Sequence, residues 1–319
     1  MIAFIFPGQG SQKVGMGRAL ADAFAVCRES MAEADAALGE PLSRLCFEGP
    51  ENQLTLTENT QPAILAVSIA AYRLLVSRGV SPVFVAGHSL GEYSANVAAG
   101  TFSLADALRT VRRRGRYMQE AVAVGAGAMS AILGLEADQV AQACEDAAQG
   151  GVVSPANING AGQVVIAGDR DAVARAGERA KALGARRVIP LAVSAPFHCA
   201  LMKPAQDRLA PELRSLPART PVVPVVANVD AEPKRDAAAA IEALVAQVSS
   251  PVRWEAVVRR LASEGVTTYV EVGPGAVLGG LVRKIRPEAR TASFGSPDDF
   301  AVVEASMHSS IAKSSIAKS

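Results

Sequence analysis

The chain has 319 residues, enough to bury a sizeable core in one large domain or two. Hydrophobic residues make up 50% and charged residues 20%, a globular composition that excludes a disordered chain. A formal net charge of +1 supplies no global field toward nucleic acid or a membrane, so only a local patch could attract either.

The opening MIAFIF reads as a strand over 2–6 that stops at Pro7-Gly8. It has no basic flank and too short an apolar run for a signal peptide. The glycine-rich PGQGSQKVGMG follows, then helical patterns over about 16–38, ending before Gly39, and about 60–78, ending before Gly79. The longest apolar stretch, PAILAVSIAAYRLLV, is interrupted by Tyr72 and Arg73 and reads as too short to span a bilayer. A strand over 82–86 leads into a turn at Ser89, a helix stopping near Gly100, and another over about 103–122 with Ser103 as its N-cap. This alternation predicts a parallel sheet covered by helices.

The rhythm changes over 128–191. AMSAILGL, VVSPANI, GQVVIAG and ARRVIPL read as strands, with EADQVAQACEDAAQ and DRDAVARAGERAKALG as helices between them. That βαββαβ order is the ferredoxin-like split unit, here inserted into the larger pattern. Beyond 192 come a helix over about 198–215, the strand VVPVVANV, helices across 236–264, the strand TTYVEVG and a helix from near Gly275. The expected fold is α/β: a larger, α/β-hydrolase-like domain from 1–125 and 193–300, with a small ferredoxin-like domain at 126–192. Residues 306–319, which repeat SSIAKS, are expected to be a disordered tail. Cys27, Cys46, Cys144 and Cys199 form neither a C-x-x-C pair nor a disulfide framework, so a cytoplasmic protein with reduced thiols is the default.

Chemistry concentrates at GHSLG, residues 87–91. The pattern G-x-S-x-G, after an apolar strand and before a helix, is that of a nucleophile elbow, in which glycines permit a tight turn and the serine oxygen projects clear of the sheet. A plain turn serine is the competing reading. A nucleophilic Ser89 needs a base, and the chain has His88, His198 and His308. His88 should point away from Ser89; His198 opens a helix after a loop. The order Ser89, Asp230, His308 also matches that of α/β-hydrolases, although His308 adjoins the repetitive tail.

The loop GQGSQKVG has Lys13 where a dinucleotide fingerprint needs glycine. It could still aim backbone N–H groups at an anion, or serve as a simple turn. On the helix that carries LRTVRRRGRYMQE, Leu104, Leu108, Val111, Gly115 and Met118 form one stripe. Arg109, Arg113 and Arg116 point away from it, whereas Arg112 and Arg114 flank it. A half-buried guanidinium would need an acid from elsewhere in the fold or a carboxylate on a ligand.

Together FPGQGSQ, GHSLGEYSA, RRGRYMQEAV, APFHCALM, VAQVSSPVRW and EVGPGAVLGGL, in this order from residue 1 to about 296, resemble the malonyl-CoA:acyl-carrier-protein transacylase family. The resemblance implies that Ser89 accepts the acyl group, His198 is its base, and Arg114 holds the malonyl carboxylate. It implies an oxyanion hole from the N–H groups of Gln9 and Leu90, and a Gln247 carbonyl that orients His198. Asn157 and Asn159 would face the thioester arm from the small domain. Leu90 and Phe197-His198 go with malonyl rather than methylmalonyl in that family. It further implies malonyl-CoA as co-substrate, an acyl-carrier protein as partner, no metal and no tightly bound cofactor. The reaction would serve fatty-acid or polyketide synthesis, with basic clusters at 112–116 and 283–286 steering an acidic carrier. A serine hydrolase using His308 and a non-enzymatic scaffold are the rival readings. Asn96, in the elbow helix where an apolar residue is expected, is a departure from the family.

Overall fold

A computed structural model describes residues 1–308. Its ten strands are β1 (Ile2–Phe6), β2 (Phe84–Gly87), β3 (Gly127–Leu133), β4 (Val153–Gly160), β5 (Gln163–Asp169), β6 (Arg187–Pro190), β7 (Val225–Val226), β8 (Pro233–Lys234), β9 (Thr268–Val272) and β10 (Arg290–Phe294). They form two sheets, one of six strands in the order β10-β9-β1-β2-β7-β8 and one of four in the order β4-β5-β3-β6.

The larger sheet is parallel from β10 through β7, with β8 antiparallel at its edge. Alternation along β1 supplies a core on each side. Phe4 and Phe6 pack with Leu20, Ile64 and Val67, while Ala3 and Ile5 pack with Phe84, Trp254 and Tyr269. Both flanking layers are helical, so β1 and β2 are apolar throughout, as strands covered on both faces generally are, while β9 carries one buried acid, Glu271, bonded to the Gly279 N–H. β1 and β2 run side by side with Phe6 opposite Gly87. Their carboxyl ends therefore deliver the Gln9 loop and the Ser89 turn to the same edge, where open α/β sheets bind ligands.

The smaller sheet is antiparallel, and its two helices, Ala137–Ala148 and Arg170–Ala182, pack on one face. Its strand order and βαββαβ succession are those of a ferredoxin-like unit. The two sheets are stitched at β4, where Ile158 N–H donates to the Val252 carbonyl and Val252 N–H to that of Ala156, both at 2.9 Å.

Several elements differ from the sequence reading. The helix expected over 16–38 is split into Arg18–Ala23 and Ala25–Leu38 by Phe24, whose extended backbone turns its ring against Phe300. The expected strand over 222–229 is reduced to β7, because Asn228 leaves the ladder to bond with the elbow. The apolar stretch at 62–76 belongs to a 21-residue helix, Thr57–Ser77, which is long and apolar enough to cross a membrane. Here 78% of its apolar window is buried inside the protein, so it serves as the central core helix. Of the expected tail, 306–308 belong to the helix Phe300–His308, and 309–319 lie outside the described residues.

Candidate functional site

Between β2 and the helix Leu90–Ala98 the chain turns within two residues, His88 and Ser89. Ser89 sits in that turn at φ 51° and ψ −105°, a conformation an L-residue adopts only under constraint. Glycine is compulsory on both sides: a Cβ on Gly87 would lie 1.9 Å from the Gly91 carbonyl carbon, and one on Gly91 2.0 Å from the Phe6 carbonyl oxygen. The turn is held by Asn228, whose Oδ1 accepts the Ser89 N–H at 2.8 Å while its Nδ2 donates to the Gly87 carbonyl at 2.7 Å.

The Ser89 Oγ lies 2.7 Å from Nε2 of His198, a buried residue itself held at φ 61°. On the other side of the ring, Nδ1 donates to the Gln247 carbonyl at 3.0 Å. A carbonyl only accepts, so the proton sits on Nδ1 and Nε2 is left as the acceptor facing the hydroxyl. Burial, followed by the nearby Arg114 charge, pushes the His198 pKa down to about 3. The imidazole is therefore neutral at ordinary pH, as a base must be.

Of the two flanking arginines, Arg114 turns inward. It is 2% exposed, whereas Arg112 reaches Asn59 and Glu40 near the surface. Arg114 donates from Nη1 to Gln61 Oε1 at 2.8 Å, and from Nη2 to Gln247 Oε1 at 2.9 Å and Ser89 Oγ at 3.2 Å. These acceptors are all neutral; the guanidinium also lies over the Tyr93 ring at 5.3 Å, and its buried Nε has no hydrogen-bond partner among the described residues. Among the described residues no acid bonds with it directly; Glu92 acts on its charge from the far side of the Gln247 amide. A charge taken out of water and left with neutral partners is costly unless an anion completes the site.

Ser89, His198, Arg114, Gln9 and Asn157 line one cavity of about 390 Å³, closed on its apolar side by Met118, Met129 and Phe197. Gln9 sits on the loop after β1 and donates from Nε2 to Thr57 at 3.3 Å. Leu90 is the first residue of its helix, so its N–H has no carbonyl one turn earlier within the helix to meet. A second cavity of about 230 Å³ shares Gln9, His88 and Asn157 with the first and adds Asn159. Asn159 Oδ1 is 3.0 Å from His88 Nε2, so His88 faces the smaller sheet rather than Ser89.

The sequence reading missed Asn228, Glu92 and Gln61, and the side chain of Gln247. They carry no motif of their own, and their amide and carboxyl groups meet only after folding. Asp230 pairs with Lys234 near the surface. Asn96 donates back to the Glu92 carbonyl at 2.9 Å, but its buried Oδ1 has no hydrogen-bond partner among the described residues. In one basic cluster, Arg112, Arg113 and Arg116 pair with Glu40, Glu212 and Glu58; in the other, Arg286 pairs with Glu288 and Arg283 bonds to Thr291.

Fold and site together define a two-sheet α/β protein of the elbow-serine class, with an imidazole and a buried guanidinium converging on the hydroxyl. The chain belongs to the acyl transferase domain family, which it matches over residues 3–296. The malonyl CoA-acyl carrier protein transacylase of Salmonella typhimurium is 51% identical over 296 residues, covering 92% of this chain and 96% of that protein. That of Bacillus subtilis is 47% identical over 298 residues, covering 93% and 94%. Among solved structures, an acyl carrier protein S-malonyltransferase from Vibrio cholerae matches with a TM-score of 0.93 at 48% identity, covering 95% of this chain and 99% of that one. A malonyl-transacylase in complex with a type II PKS acyl-carrier protein matches at 0.92 and 47%, covering 94% and 98%.

Proposed function

We propose that this protein transfers the malonyl group from malonyl-CoA to the phosphopantetheine thiol of an acyl-carrier protein, through a malonyl ester on Ser89. The observation that carries the malonyl assignment is Arg114: a buried guanidinium whose hydrogen bonds among the described residues go to neutral oxygens, beside the attacking hydroxyl. A substrate carboxylate supplies the missing charge with paired hydrogen bonds.

In this reading the carboxylate of malonyl-CoA docks on Arg114 and the thioester oxygen faces the N–H groups of Gln9 and Leu90. Nε2 of His198 takes the Ser89 proton as Oγ bonds to the carbonyl carbon. Negative charge moves onto the thioester oxygen, where the two N–H groups stabilise it. Collapse breaks the C–S bond, and His198 returns the proton to the CoA sulfur. The carrier thiol then repeats the sequence in reverse: His198 removes its proton, sulfur attacks the ester, and Ser89 leaves with that proton. The Gln247 carbonyl holds the imidazole in the required tautomer in place of an acid.

Malonyl-CoA is a co-substrate here, and the chain's own groups handle each proton and charge, without a metal or a tightly held cofactor. Asn157 lines both cavities and Asn159 the smaller one, where the thioester arm would enter. We assign catalysis to a core of 1–125 and 193–300, with 126–192 as a separate small domain covering the site. In the 283–286 cluster Arg286 pairs with Glu288 while Arg283 bonds to a neutral hydroxyl, against three ion pairs at 112–116, so it is the better carrier-facing patch. A cytoplasmic setting accords with Cys27, Cys46, Cys144 and Cys199 all being free and buried.

Intact-mass and peptide analysis after exposure to malonyl-CoA tests the reading. A malonyl adduct on Ser89 that holo carrier protein discharges is expected. No adduct on the wild-type chain would overturn it and favour a scaffold.

A further inference from the structure

Glu92 takes no part in the chemistry above, yet it lies directly beneath it. It occupies the first turn of the helix Leu90–Ala98 and is 1% exposed. The bonds to its Oε2 come from neutral donors: the Asn228 N–H at 2.9 Å and Gln247 Nε2 at 2.7 Å.

Those donors belong to the residues that clamp the elbow. Asn228 grips the Ser89 N–H and the Gly87 carbonyl, and Gln247 Nε2 also reaches the Ser89 carbonyl at 3.0 Å. The amide of Gln247 is thus wedged between a carboxylate oxygen, which accepts, and the Arg114 guanidinium, which only donates. Rotating it by half a turn would set oxygen against oxygen at Glu92 and N–H against N–H at Arg114. A single orientation satisfies both ends. The main chain of the same residue accepts from His198.

We infer that Glu92 is a positioning residue: by fixing the polarity of the Gln247 amide it aligns Arg114 for the substrate carboxylate and holds the Ser89 main chain in its strained turn. This deepens the malonyl reading and rests on it. Removal of the acceptor frees Gln247 to rotate, and Arg114 loses the oxygen that aims it. Acyl groups with a free carboxylate then suffer more than those without.

The test compares the full chain with Glu92→Gln, Glu92→Met and Glu92→Asp, reading kcat/KM for Ser89 acylation by malonyl-CoA and by acetyl-CoA. Far-UV circular dichroism and thermal melts establish folding. In Glu92→Met the malonyl value falls by about 10²-fold, on the scale expected for an ångström of misplacement, and the acetyl value by at most about tenfold. Glu92→Gln retains an acceptor oxygen and stays within about threefold of wild type for malonyl. If Glu92→Met does not fold, Glu92→Asp, which keeps the carboxyl group but withdraws its oxygen, shows the same malonyl-selective loss. A folded Met or Asp variant with the wild-type malonyl-to-acetyl ratio overturns the inference, as does a Gln variant as impaired as Met. Wild-type protein that forms no malonyl-serine would instead remove the underlying function.

Discussion

Nη2 of Arg114 stands 3.2 Å from the Oγ of Ser89. A malonyl group has its carboxylate carbon about 2.5 Å from its thioester carbon, given ordinary C–C bonds. A cation reading the far end of so short an acyl group must therefore adjoin the nucleophile, and it does. Arg114→Ala is expected to lower kcat/KM for malonyl-CoA by about 10²- to 10³-fold, the scale for truncating one partner of a buried charge pair. Acetyl-CoA should lose little or gain, since no carboxylate is left unpaired. Parallel kinetics with the two thioesters check this, and an unchanged ratio would contradict the role given to Arg114.

His198 is the imidazole that meets the Ser89 hydroxyl, at 2.7 Å. Replacing it with alanine should slow malonyl-serine formation by about 10²- to 10⁴-fold, the usual contribution of a positioned base. Asp230→Asn and His308→Ala should load at wild-type rates, because the Ser89–His198 pair requires neither. Quenched-flow mass spectrometry of each variant measures this. A collapse of loading in His308→Ala would revive the hydrolase order.

The pH profile has a definite sign. Protonating Nε2 removes the base, so activity falls as pH drops through the His198 pKa, which burial and Arg114 hold at about 3. An unperturbed histidine would lose tenfold in kcat/KM per pH unit below about 6.5. The acid limb should therefore lie well below pH 5.5 for protein that remains folded by circular dichroism. A limb centred near 6.5 would show that the imidazole is not desolvated as described.

Glu92 makes a separate prediction about stability. Its carboxyl is pushed up to about 7, by burial above all and by Asp230 to a smaller degree, against lowering by Gln247, Asn228 and Arg114. The raised value means its contribution is intact below about pH 4.5, where the unfolded carboxyl is also protonated, and drains as pH rises through 7. By pH 8 the loss approaches about 3 kcal/mol. Glu92→Gln has no proton to lose, so its unfolding free energy should decline less than that of wild type between pH 5 and 8. His198 works in the opposite direction, costing stability as pH falls from 6.5 toward 3, but it is common to both proteins and cancels in the difference. Urea titrations at several pH values give that difference directly; parallel curves would refute it.

Gly91 should tolerate no side chain. A Cβ there would meet a main-chain oxygen at 2.0 Å, and no rotamer relieves a backbone clash. Gly91→Ala is expected to cost more than about 4 kcal/mol or to prevent folding. Gly79→Ala has open space at φ 81° and should cost only about 1–2 kcal/mol, the penalty for a left-handed alanine. Denaturant midpoints of the two variants separate these cases.

What the sequence alone determined was whatever repeats on a local period or sits in a compact motif. The apolar run of β1, the glycines around Ser89, the Ser103 cap and the βαββαβ rhythm are each encoded within a few residues, where sterics and hydrophobic alternation act. The same locality explains why helical spacing could narrow the buried arginine to Arg112 or Arg114 and go no further. Choosing Arg114 required Gln61 and Gln247, which lie 53 and 133 positions away along the chain. Tertiary structure alone also decided that Asn228 leaves β7 to hold the elbow, and that the apolar helix Thr57–Ser77 is packed inside the protein. Hydrogen bonds between side chains are directional and end within about 3.2 Å. Their partners are therefore settled by how the β1 and β2 ends, the Gln247 helix and the His198 loop converge in space, a relation that no periodicity along the chain records.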